Sequence, residues 1–328
     1  MPLLRVSTLL AVVALLDATA APASAQPTLP AEGFVTAADG VRLHYRIEGT
    51  GAQTVVVPAG LFLHRDLREL ARGRRMVFYD MRGRGRSDRV ADSTHITIQW
   101  DVRDLESVRR HVGADRIVPV GYSYLGLMVL LYASEHPDRV ERIVQIGPVA
   151  RRWDTRFPPE LTAADPVPVP DSAALTELER VRRSASVDGD SRALCQRAHE
   201  LTRARLVGDP RLAERVPNVC DFPNEWPAAF GRHLRHHFVG SVQTLDVPWE
   251  TFAKITAPVL TVHGTRDRNA PYGAGREWAS RLPNARLVTV RGAAHMPWLD
   301  QRALVLGAID TFLGGQWPEG AERVTAPR

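Results

Sequence analysis

The sequence predicts an α/β protein in which a mostly parallel sheet, flanked by helices, is interrupted by an inserted helical block. Three observations point there. Short runs rich in β-branched and apolar residues recur along the chain and end in turn chemistry. Segments with helical spacing separate those runs. Between about residues 150 and 253 the strand-like runs stop, and helical segments follow a Pro-rich stretch. Continuous apolar strands alternating with helices imply a sheet covered on both faces, because each crossover lays a helix against it.

Taken in chain order, Val41 to Ile47 alternates apolar and polar residues, as an outer antiparallel strand does. Thr54 to Val57, Arg75 to Tyr79, Arg116 to Val120 and Arg142 to Ile146 are compact buried strands. Thr97 to Val112 and Tyr124 to Glu135 have helical spacing between them. The Pro-rich stretch Phe157 to Pro170 then leads into helical segments containing Leu175 to Arg183, Ala193 to Leu206 and Trp226 to His237. Alternation resumes with a strand at Pro258 to Val262, a helix at Tyr272 to Leu282, a strand at Ala285 to Val290 and a helix at Leu304 to Leu313. The expected organisation is a core over 26–149 and 254–328, with a helical cap over 150–253 inserted in it.

The 328 residues, 44% hydrophobic and 24% charged, have the composition of a soluble globular protein with room for one large domain. The net charge of +5 rests almost wholly on arginine, since Lys254 is the only lysine. The arginines are spread among carboxylates and form no basic run with interleaved aromatics, so no nucleic-acid partner is expected. At the N-terminus Arg5 precedes the apolar-to-small stretch Val6 to Leu16, and Ala23-Ser24-Ala25 supplies small residues at −3 and −1. That pattern is a signal peptide over 1–25, with Gln26 as mature start and a secreted or periplasmic destination. The stretch is short for a hydrocarbon layer of about 30 Å, and an uncleaved anchor is the alternative. No later segment is long and apolar enough to span, so no stable membrane insertion is expected after cleavage. Export favours joining the two cysteines, Cys195 and Cys220, with two separate buried thiols as the alternative.

Chemistry concentrates at Gly121-Tyr122-Ser123-Tyr124-Leu125-Gly126, directly after one predicted strand and at the start of a predicted helix. A serine on a tight strand-to-helix turn has its Oγ exposed above the sheet and helix N-terminal amides beside it. Gly121 suits a turn where strand and helix approach too closely for a side chain. Serine needs a base to take its proton. Asp267 follows the Pro258–Val262 strand, and His295 follows the strand ending near Val290. Loops at the carboxyl ends of parallel strands converge on one edge, where Ser123, Asp267 and His295 can meet.

Tyr79-Asp80-Met81-Arg82-Gly83-Arg84-Gly85-Arg86-Ser87-Asp88 and His136-Pro137-Asp138-Arg139-Val140-Glu141-Arg142-Ile143-Val144 resemble signatures of the α/β-hydrolase superfamily. With the serine turn and the His295 loop they are similar to proline iminopeptidase-like serine hydrolases. The resemblance implies the α/β-hydrolase fold with an inserted helical cap. It also implies cofactor-free acyl transfer by Ser123, His295 and Asp267, on a small-molecule ester or a short peptide. Two positions depart from the family. Leu125 stands where a small residue is usual, which requires local repacking. Pro58-Ala59-Gly60-Leu61-Phe62 replaces the His-Gly loop, leaving backbone N–H groups of Leu61 and Tyr124 as the oxyanion donors, or Gly60 if the register shifts by one. A non-catalytic binding protein on this fold is the alternative of another class.

Substrate choice falls to the cap segment Cys220 to Pro227, where Glu225 and Trp226 are the candidate binding residues and Asp221 a further carboxylate for a free amine. A disulfide-pinned turn with Trp226 in the core is the competing explanation. Gly83-x-Gly85 is no dinucleotide fingerprint, because Ser87-Asp88 occupies the place of a third glycine and helix. Ser87 lacks a strand-to-helix turn. His233, His236 and His237 have no matching carboxylate motif, so no metal is expected.

Overall fold

Nine strands form one sheet in the computed structural model, which describes residues 29–162, 172–187, 192–224 and 233–325. They are β1 (Glu32–Thr36), β2 (Arg42–Glu48), β3 (Thr54–Pro58), β4 (Arg75–Tyr79), β5 (Val118–Tyr122), β6 (Ile143–Ile146), β7 (Val259–Gly264), β8 (Ala285–Val290) and β9 (Ala321–Glu322). Their order is β1-β2-β4-β3-β5-β6-β7-β8-β9. Pairing is parallel from β4 through β8 and antiparallel at β1–β2, β2–β4 and β8–β9.

Among the described residues, the α-helices of eight residues or more are α1 (Gly60–Leu67), α2 (Ile98–His111), α3 (Tyr124–Glu135), α4 (Ser172–Val187), α5 (Arg192–Arg203), α6 (Tyr272–Arg281) and α7 (Arg302–Leu313). Alternate residues of each apolar strand feed different cores. Val55 and Val57 join Leu63, Leu67 and Ile309 of α1 and α7, whereas Val56 joins Leu105, Met128 and Trp278 of α2, α3 and α6. A strand buried on both faces must be apolar at every position, which is why these runs do not alternate. Thr97 caps α2 by accepting from Trp100 N–H, as expected where Ser or Thr precedes an amphipathic run.

Sequence reasoning passed over α1, β1 and β9. The eight residues of α1 are too few for a clear helical period, and the two-residue β9 carries no pattern at all. The predicted strand at Arg116 begins at Val118, because Ile117 makes only an isolated bridge to Val140.

Between β6 and β7 the described residues add no strand to the sheet. There α4 packs on α5, and Cys195 of α5 is joined to Cys220, with 5.8 Å between their Cα atoms. Residues His233–Val242 wind as a π-helix, a wider turn than the α-helix predicted for Trp226 to His237, and continue five residues past it. The chain after α5 returns to the core, where Leu206 C=O accepts from Met296 N–H at 2.7 Å. Asp300 there accepts from the backbone of Gly208, Asp209 and Ala294. The predicted signal peptide and residues 163–170 of the Pro-rich stretch lie outside the described residues, as do Glu225 and Trp226. Among the described residues no helix is long and apolar enough to cross a membrane.

Candidate active site

The turn between β5 and α3 holds Ser123 at φ 58° and ψ −127°, a conformation that side chains rarely adopt. Its tightness comes from the glycines. A Cβ on Gly121 would lie 2.3 Å from Leu125 O, and one on Gly126 2.8 Å from Pro148 Cβ. Leu125 is accommodated by burial in the core beneath α3, while Gly126 makes the close contact one position later.

His295 reaches the serine from the loop after β8. Its Nε2 lies 3.0 Å from Ser123 Oγ and its Nδ1 2.7 Å from Asp267 Oδ2. Asp267, on the loop after β7, is buried, and its Oδ1 accepts the N–H groups of Asn269 at 2.8 Å and Ala270 at 2.9 Å. Burial pushes the Asp267 carboxyl up, but the His295 charge and hydrogen bonds from His263 and His295 outweigh it and hold the group well below the usual carboxylate range. His263, the last side chain of β7 before Gly264, approaches Asp267 Oδ2 at 3.2 Å and Ala270 O at 2.9 Å through Nε2. Gly275 makes room for it, since a Cβ there would lie 2.3 Å from the imidazole. Sequence reasoning missed His263, although a histidine ending an apolar strand four residues before Asp267 is a legible signal.

Beside Ser123 lies a cavity of roughly 200 Å³, lined mainly by apolar side chains including Phe62, Met81, Tyr122, Val219 and Phe222. Asp80 and Arg84 are the charged residues on its wall among those described. Val219 and Phe222 flank Cys220, so the disulfide fixes part of this wall. The neighbouring Asn224 donates to Gly85 O and Ser87 O and so lays the segment across the turn after β4.

The oxyanion candidates divide. Tyr124 is the first residue of α3, next to Ser123. Leu61 N–H, by contrast, donates to Asp80 Oδ1 at 2.7 Å and is already engaged. Gly60 N–H meets no acceptor among the described residues, and Ala59 before it is left-handed at φ 58°. Ser87 is buried and structural, accepting from His44 N–H and donating to Asp80 O. His237 pairs through Nε2 with Asp101 and stacks on His233, 4.3 Å between ring centroids.

The chain belongs to the α/β-hydrolase fold family, whose profile matches residues 54–301. It is 28% identical over 240 residues to a probable proline iminopeptidase of Leptolyngbya boryana, covering 67% of this chain and 73% of that protein. It is 27% identical over 275 residues to a bifunctional esterase/perhydrolase of Acinetobacter calcoaceticus, covering 80% and 92%. A thermophilic esterase from Thermogutta terrifontis shares the fold with a TM-score of 0.64 at 20% identity, covering 87% of this chain and 98% of that one. These similarities place the chain among the enzymes of the family.

Proposed function

We propose that this chain is an exported serine hydrolase that cleaves a small, uncharged carboxylic ester through an acyl-enzyme. The observation carrying the proposal is the chain of hydrogen bonds from Ser123 Oγ through His295 to Asp267 at the wall of an apolar cavity. In this mechanism His295 takes the Ser123 proton as Oγ attacks the carbonyl carbon. Asp267, held ionised, fixes the imidazole through Nδ1 and stabilises its cation. The tetrahedral oxyanion is received by Tyr124 N–H and, because Leu61 N–H is spent on Asp80, by Gly60 N–H. Collapse expels the alcohol with the proton from His295. A water deprotonated by His295 then releases the acid and restores Ser123. Residues 150–253 act as the cap, with Val219 and Phe222 as its contribution to the acyl pocket.

A second reading, an aminopeptidase acting on a free N-terminus, is favoured by the name of the Leptolyngbya boryana relative. Such a substrate brings an ammonium that needs a carboxylate. On the described wall, Asp80 is engaged by Leu61 and Arg86 amides and Arg84 carries positive charge, so the ester is preferred. Export accords with the joined cysteines. Hydrolysis of short nitrophenyl esters, compared with proline nitroanilide, decides between the two. The ester reading expects turnover of acetate and butyrate esters with little of the anilide; faster anilide cleavage reverses the assignment. No turnover of either points to the binding-protein alternative.

A further inference from the structure

We infer that Asp80 is a positioning residue that clamps a strained oxyanion loop, an inference that rests on the hydrolase reading above. The loop after β3 must turn sharply to place an amide beside Ser123. In this chain the turn falls on Ala59, a non-glycine residue held at φ 58° and ψ 45°. Such a conformation costs an alanine on the order of 1 kcal/mol and persists only where surrounding contacts enforce it. One enforcing contact is packing: Gly60 passes so close to β4 that a Cβ would lie 2.9 Å from Tyr79 N. The other is Asp80, the residue immediately after β4.

Asp80 is buried, and its carboxylate is boxed by fixed donors. Leu61 N–H lies 2.7 Å from Oδ1, Arg86 N–H 2.9 Å from Oδ2, and His44 Nδ1 3.4 Å from Oδ2. Gly85 leaves the room this needs, since a Cβ there would come within 2.5 Å of Oδ2. Leu61 N–H belongs to the first turn of α1, where helical amides have no intrahelical acceptor. Taking that amide directs α1 and its preceding peptide, so the backbone from Ala59 to Leu61 is held at the cavity beside Ser123, whose wall Ala59 and Leu61 line, rather than relaxing with Ala59. Asp80 also lies on the cavity wall, but its two carboxylate oxygens are taken by the Leu61 and Arg86 amides, so it acts through the loop.

The test is steady-state ester kinetics on Asp80→Asn, Asp80→Ala, Ala59→Gly and the double variant Asp80→Ala/Ala59→Gly. Asparagine keeps the shape but offers one acceptor to two amides. Loss of the clamp is expected to lower kcat by up to about 10²-fold, the scale of one oxyanion donor, with KM within about twofold. Fluorophosphonate labelling of Ser123 should slow in parallel. Glycine adopts left-handed backbone freely, so Ala59→Gly should restore at least about tenfold of the Asp80→Ala loss. Circular dichroism checks folding, and Asp80→Asn decides if Asp80→Ala does not fold. Unchanged kcat in Asp80→Asn, a KM effect with kcat intact, or no recovery in a folded double variant overturns the clamp. A wild-type protein that neither labels at Ser123 nor turns over ester defeats the hydrolase reading itself; active wild type with insensitive Asp80 variants defeats only this inference.

Discussion

At Asp267 a buried carboxylate faces His295 Nδ1 at 2.7 Å while two backbone amides and His263 hold its remaining lone pairs. An amide in its place keeps the volume but presents N–H to a nitrogen that must itself donate. Asp267→Asn is therefore expected to lower kcat by about 10³- to 10⁴-fold, with a far smaller effect on KM, in ester kinetics at neutral pH. A loss below tenfold would remove Asp267 from the mechanism. Ser123, Asp267 and His295 were legible as a candidate set because each follows a predicted strand and their chain order is informative. Asp80 was not legible as a site residue, because its role depends on which backbone amides lie beside it, whereas His263, four residues before Asp267 at the end of an apolar strand, carried a signal that went unused. That Leu61 N–H is engaged by Asp80 is likewise a single hydrogen bond, which spacing does not encode.

Among the elements, α2 and α3 are tied by Glu106, which accepts from Arg109, Arg110 and Tyr132 OH. Burial pushes its carboxyl up, but these donors outweigh it and bring it from 4.5 to about 2. A carboxyl depressed on folding contributes stability above its unfolded pKa and loses it as pH falls through the folded one. Glu106→Gln should thus lower unfolding free energy by about 1–3 kcal/mol at pH 7, a difference that closes as pH falls from 4.5 towards 2. Urea unfolding of both proteins across that range measures it; a gap that persists at the acid end contradicts the assignment. The long elements were legible for the reason that makes α2 amphipathic and β3 apolar throughout: each must bury a defined set of faces. The π-winding of His233–Val242 is not marked in the helical spacing of Trp226 to His237, because hydrophobic spacing does not specify the winding.

For the whole molecule, the parallel sheet and its interruption were visible in the alternation of apolar runs with helical spacing, whereas the return of residues 206–209 onto the His295 loop was not. That contact uses backbone groups and Asp300, which no periodicity marks. The disulfide joins residues 25 apart in sequence and fixes the segment carrying Val219 and Phe222. Its reduction is expected to cost about 3 kcal/mol in a urea titration, a loss absent when reductant is added to Cys195→Ser/Cys220→Ser. An unchanged wild-type midpoint under full reduction contradicts that role. The central claim, that Ser123 is the nucleophile of an acyl-transfer site, is tested most directly by mass-spectrometric mapping of a fluorophosphonate adduct on the purified protein. The account predicts one adduct per chain on the peptide containing Ser123, lost in Ser123→Ala; no adduct, or an equal adduct in Ser123→Ala, contradicts it.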